Sequence, residues 1–72
     1  MTNVNLLKSK MALIGVKDFT IWTSEMLGIS ITSASAKLNN KATFKQDEIA
    51  MLTLKLGLSG EEVKDIFAMG VN

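Results

Sequence analysis

Apolar residues along the chain fall into short stripes of helical spacing, broken by residues that stop one helix and start the next. Val4, Leu7, Met11 and Ile14 follow i, i+3, i+7, i+10, with Lys8 and Lys10 off the stripe and Gly15 as a stop. This predicts a first helix from about residue 4 to 14. Asp18 is a natural N-cap for a second helix running to about Leu27, and its charge suits the positive end of the helix dipole. Leu27-Gly28-Ile29-Ser30 reads as a tight turn, with Gly28 free to take positive φ and Ser30 offering a hydroxyl to the next helix. A third helix then spans roughly Ile31 to Leu38, and Asn39 to Ala42 reads as a loop.

Thr43-Phe44-Lys45-Gln46 matches a capping box and predicts a fourth helix from Phe44 to about Leu56. Ile49, Leu52 and Leu56 line one face of it, with Met51 and Leu54 partly beside, and Gly57 ends it. Ser59-Gly60-Glu61-Glu62 is a second capping box, opening a fifth helix to about Ala68 with Val63, Ile66 and Phe67 as its apolar stripe. Met69 to Asn72 form a short tail. No segment alternates with period two, so the expectation is one all-α domain over residues 1–72, a compact five-helix bundle without a sheet.

Composition narrows the chemistry. A chain of 72 residues buries only about 60% of its unfolded surface. With 47% apolar residues, some of that surface is available for a partner. Cysteine and histidine are absent, which removes disulfides, the commonest zinc ligands and the commonest general base. Asp47 and Glu48 are adjacent and diverge on a helix, and no spacing suggests an activated nucleophile. The expectation is no enzyme, no metal, no cofactor and no small-molecule substrate. No apolar run is long enough to span a membrane and no leader is visible, so a cytoplasmic location is expected. All eight basic residues are lysines, against seven acids; arginine, the usual reader of guanine, is missing.

Five short helices with a helix-turn-helix at the second and third resemble the phage repressor and Cro family. Leu27-Gly28-Ile29-Ser30 resembles the family's turn. Lys37-Leu38-Asn39-Asn40-Lys41 is similar to its Lys-Leu-Asn-Gly-Lys segment, with Asn40 in place of Gly. Phe44, Glu48-Ile49, Leu56-Gly57-Leu58-Ser59 and Ile66-Phe67 resemble small regulators of temperate phages of Gram-positive bacteria, most of all the modulator-of-repression, or antirepressor, type. The resemblance covers nearly the whole chain. It implies a lambda repressor-like fold and a part in a lysis–lysogeny switch, either by binding a partner phage repressor and modulating or blocking its operator binding, alone or with it on DNA, or as a Cro-like repressor that reads operator DNA as a dimer.

The departures from that pattern set the site expectations. Thr20 stands where the family has a phosphate-gripping glutamine, and Ile21 and Trp22 fill slots that are normally polar. Ser24 replaces the small alanine between the two helices, and Ile31 replaces the first base-reading arginine or glutamine. For a DNA reader, the candidates are Thr20, Thr32, Ser33, Ser35, Lys37, Asn39 and Lys41, none with arginine's planar fork for a bidentate guanine contact. For a protein partner, they are Ile21, Trp22, Glu25 and Ile31, since large apolar groups suit a protein better than phosphates. The spacings Phe19-Trp22-Met26 and Ile31-Ala34-Leu38 equally fit core stripes. Acidic residues such as Glu25, Asp47, Glu48, Glu61, Glu62 and Asp65 would suit the basic face of a repressor, and at helix starts they also suit the dipole.

Overall fold

The computed structural model describes residues 1–67, and the expected end of the fifth helix at Ala68 and the tail Met69 to Asn72 lie outside the described residues. Five helices follow in order: α1 Val4–Leu13, α2 Phe19–Leu27, α3 Ile31–Leu38, α4 Gln46–Leu56 and α5 Gly60–Phe67. No strand occurs among the described residues. The Cα radius of gyration, 11.1 Å, is close to the roughly 11 Å of a compact chain this long.

Local signals set most of the ends. The carboxylate of Asp18 accepts the Ile21 N–H at 2.9 Å, and Ser30 Oγ accepts the Ser33 N–H at 3.0 Å. Gly28 closes α2 at φ 66° and Gly57 closes α4 at φ 64°, a left-handed conformation that a Cβ would disfavour. Between α2 and α3, Ser24 Oγ donates to the Ile29 carbonyl at 2.6 Å, and its own carbonyl accepts the Ile29 N–H at 3.1 Å. Asn40, at φ 58°, makes the corresponding turn after α3. Its side chain holds both the N–H and the carbonyl of Thr2, and the Asn3 N–H donates to the Ile66 carbonyl. The N-terminus is thereby tied across α3 and α5.

Two expected ends differ. The first capping box does not form at Thr43: α4 starts two residues later than expected, and Glu48 accepts the Lys45 N–H at 2.8 Å. The second box forms as read, with Ser59 N–H donating to Glu62 at 2.8 Å and Glu62 N–H to Ser59 Oγ at 3.2 Å. Ile14, placed on the inner stripe by its spacing, is the C-cap of α1 and is exposed, because the helix stops before its side chain turns inward.

The core is Leu7 and Met11 from α1, Leu38 from α3, Leu52 and Leu56 from α4, Ile66 and Phe67 from α5, and Phe44 from the loop before α4. Phe44 and Phe67 meet edge to face, centroids 5.6 Å apart. Val4, Phe19, Trp22, Leu27, Ile49 and Val63 pack around this centre, half-buried. α2 and α3 pack most closely on each other, with Thr23 and Ala34 fully buried. Small side chains at these positions let two short helices approach.

Candidate interaction face on α2 and α3

The first turns of α2 and α3 supply the outward residues. On α2, Ile21 is 44% exposed and Glu25, one turn on, is exposed too. On α3, Ile31 is 56% exposed, followed by exposed Thr32 and Ser33. Trp22 and Thr20 are half-buried, with Trp22 packed against the core. Of the four residues expected at a protein partner, three therefore stand outward, while the indole has one side committed to packing.

The polar candidates separate further. Ser35 is half-buried, and Asn39 Nδ2 turns back to donate to the Ser35 carbonyl at 2.8 Å and to its hydroxyl at 3.3 Å. That use of the amide ties down the side chain that would pair with adenine. Lys41 is exposed, its backbone N–H bound to the Ala36 carbonyl at 2.8 Å.

Lys37 departs from expectation. It is only 7% exposed, and its ammonium donates to Oε1 of Glu48, itself 8% exposed. The buried face of α3 consists of Ala34, Lys37 and Leu38, not the Ile31-Ala34-Leu38 stripe. This turns Ile31 out and Lys37 in, so the Lys37 charge is spent inside the fold rather than on phosphate. Its ammonium also lies 5.9 Å from the centre of the Phe44 ring.

The Glu48 carboxylate is the hub of that junction. Burial pushes its pKa up, but hydrogen bonds from the Lys37 ammonium and the Lys45 N–H, with the charges of both lysines, outweigh it and hold it below its ordinary value. Glu62 is held low for a related reason, a hydrogen bond from Lys10 joined by the Ser59 N–H. Thus each of two helix-start glutamates caps its own helix and receives a lysine from a distant one.

Sequence reasoning missed Thr23 as the fully buried contact of α2 and Glu48 as a buried residue of α4 beside Leu52 and Leu56. The signal for Glu48 was its i, i+4, i+8 spacing with Leu52 and Leu56, together with a lysine at the inner end of the preceding helix. Among the described residues no cluster of acidic side chains could hold a metal ion, and no helix is long and apolar enough to cross a membrane. No family model, curated protein or solved structure matches this chain.

Proposed function

We propose that α2 and α3 form a helix-turn-helix on a lambda repressor-like fold, and that the protein is a phage genetic-switch regulator acting in the cytoplasm. It binds a partner repressor and modulates or blocks that repressor's hold on its operators, with weak or conditional DNA binding of its own. The observation that carries this reading is the outward face of the two helices. It offers Ile21, Ile31 and the acid Glu25, while the one lysine of α3 is shut inside against Glu48. An acidic, apolar surface repels phosphate and fits a protein, and a carboxylate beside apolar groups suits the basic face of a DNA-binding protein.

The test is a gel-shift series on the operator region of the same phage, at about 50 and 200 mM salt, with this protein, the phage repressor, and both. The reading expects faint, salt-sensitive binding by this protein alone and a lost or altered repressor complex when it is added. A specific complex with this protein alone, tight at the higher salt, would instead establish a Cro-like repressor acting as a dimer, with Thr32 and Ser33 toward the bases and Lys41 toward the backbone.

A further inference from the structure

Beyond α2 and α3, the outward stripe of α4 carries a second unpartnered surface. Asp47, Ala50, Met51, Leu54 and Lys55 are all exposed and share one side of the helix by their spacing. Leu54 is 75% exposed and Met51, one turn before it on the same stripe, is 39% exposed. At the other end of the stripe, a shallow groove of about 130 Å³ opens between α2 and α4, lined by Met26, Leu27, Asp47, Glu48 and Met51. The stripe therefore holds an apolar knob beside a cation, Leu54 with Lys55, and with Met26 of α2 it borders an apolar groove beside an anion, Met26 and Met51 with Asp47.

These two halves are complementary to each other, with Asp47 and Leu54 about 10 Å apart along the helix and Met51 between them. Turning a second copy end for end about an axis near Met51 places knob against groove and cation against anion twice over. This is the signature of an isologous contact, in which one patch meets itself. We infer that the α4 stripe is a self-association surface. Two copies pair with their α4 helices antiparallel, Leu54 of each seated between the partner's Met26 and Met51, and Lys55 beside the partner's Asp47. The occupant is a second copy because charge and shape are matched within the one stripe. The surface includes none of Ile21, Glu25 or Ile31, so it stands or falls separately from the proposed repressor contact. The patch is small against the roughly 1,000 Å² of a stable interface, so the pairing is weak and concentration-dependent.

Sedimentation equilibrium of the full chain, from about 20 μM to about 1 mM at low salt, reads it directly. The weight-average mass is expected to climb from 7.8 kDa toward twice that value. Leu54→Lys should stay monomeric with an unchanged helical circular dichroism signal. Asp47→Lys and Lys55→Asp should each weaken pairing several-fold, and the double charge swap should restore it. A wild-type chain monomeric throughout, a Leu54→Lys chain that pairs as well as wild type, or a double swap no better than its single variants would overturn the inference.

Discussion

At the start of α3 an isoleucine faces water, and at the end of the same helix a lysine is shut in. Ile31 is 56% exposed and Lys37 is 7% exposed, the reverse of what either residue type prefers in water. At Lys37 the inversion is compensated within the chain. Glu48 takes its charge, Phe44 lies along its ammonium, and the same carboxylate caps α4 through the Lys45 N–H. At Ile31 nothing among the described residues offsets the exposure. A buried, fully paired charge is explained by the fold itself. Ile31 and Ile21 are instead exposed aliphatic groups, and the proposed repressor contact is what would cover them. On the proposed function, the inner end of α3 serves the architecture and its outer end the repressor contact.

The sharpest way to break that assignment is at the inner end. Lys37→Ala leaves the Glu48 carboxylate buried without its cation and should cost about 3 kcal/mol in chemical denaturation. The double replacement Lys37→Met with Glu48→Leu should recover most of the loss, because it removes the charges together. A Lys37→Ala chain as stable as wild type would return that lysine to the list of residues free to meet DNA. Trp22→Ala should cost about 2 kcal/mol, less than a fully buried aromatic, since only part of the indole packs on the core. Because Trp22 is the sole tryptophan, its emission reports both unfolding and any contact made by its exposed edge.

The turn between α2 and α3 gives a middling effect. Gly28→Ala meets no neighbouring atom within 4 Å, so only the left-handed backbone resists it, at about 1 kcal/mol by thermal melting. The acid limb of stability sharpens the comparison again. A carboxyl whose folded pKa is lowered stabilises the fold above its unfolded value, and that stabilisation is lost as pH falls through the folded one. For Glu48 the window therefore opens at the ordinary value of 4.5 and extends below it. The stability gap between wild type and Glu48→Gln should be widest near neutral pH and close as the pH falls beneath that value. A gap that widened in acid would reverse the sign and refute the pairing. The smallest change in stability belongs to the outer face, where Ile21→Lys and Ile31→Lys should each stay within about 0.5 kcal/mol of wild type.

Much of this fold was legible because caps and stops are local. Asp18, Ser30, Gly28, Gly57 and the Ser59–Glu62 box act on backbone within four residues of themselves, so their spacing alone places α2, α3 and the start of α5. The start of α4 was misread because Glu48 turns back onto the Lys45 N–H, two residues beyond the start that the Thr43–Gln46 box implies. That later start depends on Lys37, eleven residues before Glu48, drawing the glutamate inward. The outward setting of Ile21 and Ile31 was only partly readable, because Ile31 also fits a core stripe with Ala34 and Leu38. The burial of Lys37 was not, because its charge argued for the surface while its place next to Leu38 argued for the core, and only the carboxylate of α4 decides between them.

The most direct measurement is the affinity of the phage repressor for wild-type protein and for the Ile21→Lys, Ile31→Lys double variant, by titration calorimetry. The account expects binding to wild type and at least a tenfold loss in the variant, about 1.4 kcal/mol or more, with both chains equally folded. Equal affinity for both, or no repressor binding beside tight and specific DNA binding by the wild-type chain, would contradict it.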